Sequence, residues 1–255
     1  MKFASTITLL VSCAAMSANV ACSTPAHAQE RPADDSAAVG NAVSENGYYA
    51  ITADVRRCAS PSCGGWFLEQ LNQATTTCHD GRTAQRCYTP VLDWSSANVP
   101  EAQQSELLAA ARASTAPRSV RAVVRGAFAP TNSTTPRPEL GRFVVTEAWV
   151  ADGDGEATGT FVHVQDNRIR CLRAPCPNLT EEVLNRPQTT DIAQVDFAPA
   201  GLTVEEAGEY TDAMYGPDGV LVAGDRYTVQ VNGSPATGRT ATQAYRRLAG
   251  ADSSP

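Results

Sequence analysis

Two aspartates stand in matching contexts, Asp93 before Trp94 and Asp196 before Phe197. Two carboxylates brought together can share one proton and act as acid and base in a hydrolase. Neither is followed by the Gly that lets substrate approach closely in an aspartic protease loop, and an Asp here can equally cap a turn through its own side chain. A second candidate is the segment Cys78-His79-Asp80-Gly81-Arg82-Thr83-Ala84-Gln85-Arg86-Cys87. Closed by a disulfide, it would hold Arg82 in a pre-organised loop of the kind that blocks a trypsin-like pocket, because pre-organisation lowers the cost of binding. The competing reading is a stapled hairpin with solvated arginines. Beyond residue 28 the only histidines are His79 and His163. There is no His-Glu-x-x-His pair, no Gly-x-Ser-x-Gly elbow and no phosphate-binding glycine loop. The acidic run Asp152-Gly153-Asp154-Gly155-Glu156 lacks the twelve-residue register of a calcium loop. The expectation is a protein that is not an enzyme, with no cofactor and no metal.

The cysteines say more. Cys13 and Cys22 lie in the leader, which leaves Cys58, Cys63, Cys78, Cys87, Cys171 and Cys176. An even number in an exported chain reads as disulfides. Arg57-Cys58-x4-Cys63-x7-Leu71-Asn72 recurs as Arg170-Cys171-x4-Cys176-x7-Leu184-Asn185. Four more matches keep the same order. Gly47-Tyr48-Tyr49-Ala50-Ile51 parallels the run from Gly159 to Val164, and Asp93-Trp94 parallels Asp196-Phe197. Val123-Val124-Arg125-Gly126 parallels Leu221-Val222-Ala223-Gly224, and the run from Gly141 to Trp149 parallels that from Gly238 to Tyr245. This pattern reads as an internal duplication. Asn72 to Asp93 is ten residues longer than Asn185 to Asp196, and the extra stretch carries Cys78 and Cys87. The simplest pairing is Cys58–Cys63, Cys171–Cys176 and Cys78–Cys87, each closing a loop for roughly 2–3 kcal/mol. A zinc site made from the four repeated cysteines is the rival; zinc pairs usually have two to four residues between them, and zinc is rare in an oxidising compartment.

The ends set the compartment. Lys2, an uncharged run over residues 3–20 and Ala26-His27-Ala28 form a secretory signal cleaved after Ala28. The run is too short and too diluted by Ser and Asn to anchor in a membrane. Lipidation at Cys13 or Cys22 is the minority alternative. After cleavage 19 Lys and Arg face 27 Asp and Glu, a net charge of −8, and every remaining basic residue is Arg. Phosphate binding needs concentrated Lys and Arg, so nucleic acid is not an expected partner. Nor is an anionic membrane surface.

These segments need elements to position them. Residues 48–55, 66–71, 88–94, 120–128, 143–150, 161–164, 220–231 and 240–245 have strand-like content. Asp80-Gly81 signals a hairpin. Residues 100–113 and 203–214 read as helices, the second opened by Thr203-Val204-Glu205-Glu206, a capping-box sequence. The expected class is α+β, with two tandem β-rich repeats, each strands–helix–strands and stapled by disulfides. The expected order is a signal peptide at 1–28, a disordered tether at 29–46, repeat units at 47–150 and 159–248 around a junction at 151–158, and a disordered tail at 249–255.

Around Arg57 to Trp66 with Asn72, around Ile169 to Pro177 with Leu184-Asn185, and over Gly141 to Trp149, the chain resembles a bacterial domain family of unknown function found in secreted proteins and lipoproteins. The resemblance spans most of residues 47–248 and implies an exported protein with no assigned activity and no catalytic residues to carry over. The functional expectation is an exported, non-enzymatic binding or structural protein of the cell envelope or extracellular space. Its expected partner is an unidentified protein or envelope ligand, with Arg82, Asp93 and Asp196 as candidate binding residues.

Overall fold

β-branched and aromatic residues favour extended backbone, and strand is the commonest element among the described residues. The computed structural model describes residues 46–114, 119–129 and 140–248. The signal, the tether apart from Asn46, the Pro/Thr-rich stretch at 130–138 and the tail all lie outside the described residues. The strands of the first half are β1 (Gly47–Ala53), β2 (Trp66–Gln70), β3 (Thr76–Thr77), β4 (Thr83–Ala84), β5 (Cys87–Thr89), β6 (Val91–Asp93), β7 (Ala122–Phe128) and β8 (Arg142–Asp152), with helix α1 (Glu101–Ala113) before β7. Then come β9 (Thr160–Asp166), β10 (Leu179–Val183), β11 (Thr189–Ile192), β12 (Gln194–Asp196), α2 (Val204–Met214), β13 (Val220–Val231) and β14 (Ser234–Arg247).

The α+β expectation is overturned. The described chain is mostly antiparallel β-sheet with two helices, and one twelve-stranded sheet replaces the two tandem strands–helix–strands units. Its order is β11-β10-β9-β13-β14-β8-β7-β1-β2-β5, with β12 alongside β14 and β6 alongside β8. The reason is β8 and β14. Their C-terminal ends pair antiparallel, from Trp149 opposite Arg247 to Asp152 opposite Ala244, so backbone hydrogen bonds run straight across the expected boundary. This ladder, with Trp149, Ala151 and Tyr245 buried in a cluster that both halves share, joins the segments into one sheet. The strands β10 and β11 carry Glu, Thr and Asp, and lack the apolar alternation by which a strand is read from sequence.

The strand order reads the same from either edge. Its two halves also share local devices. Gly126 in β7 and Gly224 in β13 each sit at a bulge, where an added Cβ would meet the Val144 or Thr240 carbonyl oxygen at 2.0 or 1.6 Å. The extra residue is a threonine both times, and its hydroxyl donates to a carbonyl of the facing strand: Thr146 to Arg125 at 3.2 Å, Thr242 to Ala223 at 3.1 Å. Helix α2 begins in the capping box expected from sequence, with the Glu206 amide donating to the Thr203 hydroxyl and the Thr203 amide to the Glu206 carboxylate.

Three apolar clusters follow. One lies beneath α1, around Ile51, Leu68, Leu107, Phe128 and Phe143. Another lies beneath α2, around Val162, Leu179, Ile192, Tyr210 and Val222. The third joins Leu71, Val123 and Trp149 to Phe161, Leu184, Leu221 and Tyr245, so both halves share it.

At this shared cluster Asn72 and Asn185 act as reciprocal clamps. Asn72 accepts from the Phe161 amide at 3.0 Å and donates to the carbonyls of Phe161 and Leu184. Asn185 accepts from the Tyr48 amide at 2.8 Å and donates to the carbonyls of Tyr48 and Leu71. Both sit at positive φ, 58° and 59°, which Asn tolerates better than other side chains. Asn72→Gly and Asn185→Gly keep that backbone freedom while deleting three hydrogen bonds each. Each is expected to cost about 2–3 kcal/mol in urea unfolding; a loss below about 0.5 kcal/mol, the scale of an ordinary surface change, would show that the clamps do not join the halves.

Candidate functional site

The residues singled out from sequence do not converge. Asp93 pairs along β8 at Val144, and Asp196 along β14 at Thr240. Each of those points lies six residues before the central pair Val150–Arg246. Because β8 and β14 run antiparallel, the aspartates fall at opposite ends of the strand pair, on the order of 40 Å apart along extended chain. Each carboxylate instead accepts from the amide two residues on, Ser95 or Ala198, at 3.0 Å. The Ser95 amide is the main reason that the Asp93 carboxyl is held below the usual carboxylate range, with Arg142 adding to it.

Arg82 points into solvent with 89% of its side chain exposed. Its carbonyl accepts from the Cys78 amide at 2.8 Å, and Cys78 accepts from the Gly81 amide at 3.0 Å. The backbone is therefore folded into a turn with its polar groups engaged, whereas a protease-blocking segment is extended with those groups free for the enzyme. Cys58 is bonded to Cys63, Cys78 to Cys87 and Cys171 to Cys176. Among the described residues no three His, Cys, Asp or Glu side chains gather as a metal site, and no helix is long and apolar enough to cross a membrane.

A different site emerges from comparing corresponding positions across the palindromic sheet. Val145 and Ala241 each face the bulge glycine, and counting from them matches Val150 with Arg246 and Leu248 with Asp152. The helices match through their buried residues, Leu107 with Tyr210 and Ala111 with Met214. Beneath α1 the set Leu107, Val150 and Leu248 is buried hydrocarbon, no member more than 4% exposed. Beneath α2 the same positions hold Tyr210, Arg246 and Asp152. The Tyr210 hydroxyl donates to Asp152 at 2.9 Å, and Arg246 reaches the same carboxylate at 3.2 Å. Arg246 also pairs with Glu106 of α1.

A second exchange accompanies the first. Leu68, Phe128 and Phe143 pack in the first cluster, with the two Phe rings 5.2 Å apart. Their counterparts, placed by distance from Asn72 or Asn185 and from the bulge glycines, are Glu181, Arg226 and Arg239. Glu181 is fully buried and takes ion pairs from both arginines, and Arg239 also donates to the Gly224 carbonyl at 2.6 Å. Sequence reading missed both sets because each residue sits where its matched counterpart is a plain core residue, and because Gly238-Arg239 aligns in sequence with Gly141-Arg142, one position away from the register that the bulges set.

The Tyr210 set opens outward. Together with Glu209, Ala213, Arg247 and the turn from Gly216 to Val220 it lines a groove of about 320 Å³, within the usual size of a small-ligand site. Arg247 stacks over Trp149 at 6.0 Å and pairs with Asp218. Three carboxylates, Asp152, Glu209 and Asp218, face two guanidiniums, so the described lining carries a net charge of −1, and Glu209 has no basic partner among the described residues. Burial, reinforced by the Asp152 charge, pushes the Tyr210 phenol far above its ordinary value. Tyr210 therefore serves as a fixed donor and not as a base.

At about pH 11, above the ordinary tyrosine range, folded wild-type protein and Tyr210→Phe are expected to give equal tyrosinate absorbance. A deficit of one tyrosinate in the variant would show that Tyr210 ionises, and its role as a buried donor would fall.

No curated protein and no solved structure matches this chain. A family model does, over residues 47–251. That stretch takes in both helices, the whole sheet and the groove, and the chain accordingly belongs to a family described as a domain of unknown function, DUF6748.

Proposed function

We propose that this chain is an exported, non-enzymatic binding protein of the cell envelope or extracellular space. In this reading its two halves descend from one duplicated segment. The half beneath α1 keeps an apolar core and serves as scaffold, and the half beneath α2 has turned core positions into a ligand groove. The carrying observation is the replacement of Leu107, Val150 and Leu248 by Tyr210, Arg246 and Asp152 at matched positions lining an open cavity. Polar groups of this kind cost desolvation energy that hydrocarbon does not, and a buried ion pair is commonly no more stable than a well-packed apolar substitute. Their retention at the groove is accounted for by recognition.

The groove's excess of carboxylates, its fixed phenol and its apolar wall from Ala213 and Val220 favour a small organic ligand bearing a cationic or hydrogen-bond-donating group. Three disulfides and the leader support an oxidising compartment as the place of action.

The test compares wild type with a triple variant carrying the scaffold-side residues, Asp152→Leu, Tyr210→Leu and Arg246→Val. Small amines, amino acids and sugars are screened by thermal shift. A ligand at about a hundred times its Kd should stabilise the wild type by about 2.7 kcal/mol, while the triple variant folds with an equal or higher midpoint and responds to none. A triple variant that still responds, or a wild type that responds to no member of the screen, would count against the reading. Export has its own measurement: intact mass of protein secreted from a bacterial host should fit a chain starting at Gln29 and gain about six protons on reduction, two per bridge. A chain still beginning at Met1, or a lipidated Cys13 or Cys22, would refute it.

A further inference from the structure

We propose that a second groove, on the other half of the sheet, binds amphiphilic anions, molecules with an anionic head on an apolar body. This site is separate from the α2 groove. It occupies about 500 Å³ beside β1 and β2, where Phe67, Arg86 and Arg112 meet Val55, Glu69 and Val120.

Its charge runs against that of the chain. Mature protein carries 27 carboxylate side chains against 19 arginines, and the arginines at 56, 125, 142, 170, 226, 239, 246 and 247 are all paired with carboxylates. Arg86 and Arg112 are exposed and have no carboxylate partner among the described residues. Each is held by an aromatic face instead. The Arg86 guanidinium lies 4.3 Å over Phe67, and that of Arg112 lies 5.3 Å over Trp66. Stacking satisfies the flat face of a guanidinium and leaves its N–H edge free for a planar or tetrahedral anion. A carboxylate from the protein would have consumed that edge.

The rest of the groove suits a hydrocarbon body. Ala50, Ala53, Val120 and the Phe67 ring form its apolar lining, and Val55 stands at its rim with 87% of its surface exposed. Among the described residues Glu69 is the single carboxylate in the lining, which leaves that lining net positive by one charge. The matching groove on the other half is lined by Gln165, Asp166, Asn167, Arg168 and Tyr215, so Tyr215 stands where Arg112 does and no stacked arginine pair is present. Among the described residues, only the first of the two matched grooves carries two guanidiniums stacked on aromatic faces, whereas the other holds the single Arg168 together with Asp166.

Calorimetric titration of the mature protein with decanoate, decyl phosphate and decyltrimethylammonium, all below their micellar concentrations, tests this and separates carboxylate from phosphate heads. At least one anion is expected to bind one-to-one with Kd below about 1 mM, and the cation about tenfold more weakly or not at all. Arg86→Gln and Arg112→Gln should each weaken the anion about fivefold or more, and Glu69→Gln should tighten it about twofold or more, as removal of one screened charge at close range does. Equal binding of anion and cation, no anion binding below about 1 mM, or undiminished binding by the Arg86→Gln/Arg112→Gln double variant would overturn the proposal. The triple variant of the α2 groove should bind these anions like wild type, so failure of one groove leaves the other distinguishable.

Discussion

The pairing of β8 with β14 is the contact on which the molecule depends. Four residues from each strand, Trp149 to Asp152 and Ala244 to Arg247, join two six-strand arrays, β6 and β12 included, into one sheet. Every further joint between the arrays is placed by it. With those strands locked antiparallel, Trp149 and Tyr245 enter the same shared cluster, and Tyr245 donates its hydroxyl across to the Val120 carbonyl. The loops after β2 and β10 then arrive where Asn72 and Asn185 can bond the first strands of the opposite arrays. Because backbone hydrogen bonds and a common core cross the midline, the arrays are coupled and should unfold together.

That joint also explains how the groove is assembled. Asp152 belongs to the last turn of β8, in the first array, yet its carboxylate faces Tyr210 of α2. Gln243 of β14 fixes the same residue by donating to the Asp152 carbonyl at 2.5 Å. Leu248 makes the reverse crossing, its amide bonding the Ala148 carbonyl while its side chain fills the cluster beneath α1. Each helix thus covers a strand end lent by the other array.

Much of the fold was legible in the sequence and the candidate groove was not. Alternation marked β1, β2, β7, β8 and β13, and Thr203 with Glu206 marked the start of α2. The strands β10 and β11 escaped because Glu181 occupies a buried position that alternation expects to be apolar, and because paired exposed threonines give no periodic signal. The class was misjudged for a related reason: periodicity reports which face of an element is buried, and says nothing about which distant strand it will join. Asp93 and Asp196 stand in matching sequence contexts, yet an antiparallel sheet of palindromic order places such matched positions at opposite ends of the β8–β14 pair. The informative positions, Leu107 against Tyr210 and Phe143 against Arg239, emerge only once the helices and bulges set the register between the halves.

A palindromic order leaves two outer rims, and neither is an inviting template. One is β5, three residues long, ending before Pro90 and pinned by the buried Cys87 to Cys78; the other is β11, four residues long, following Pro187 and carrying Asp191. Short borders punctuated by proline and charge give foreign strands little to extend from. The sheet is thereby shielded from growing by edge-on accretion.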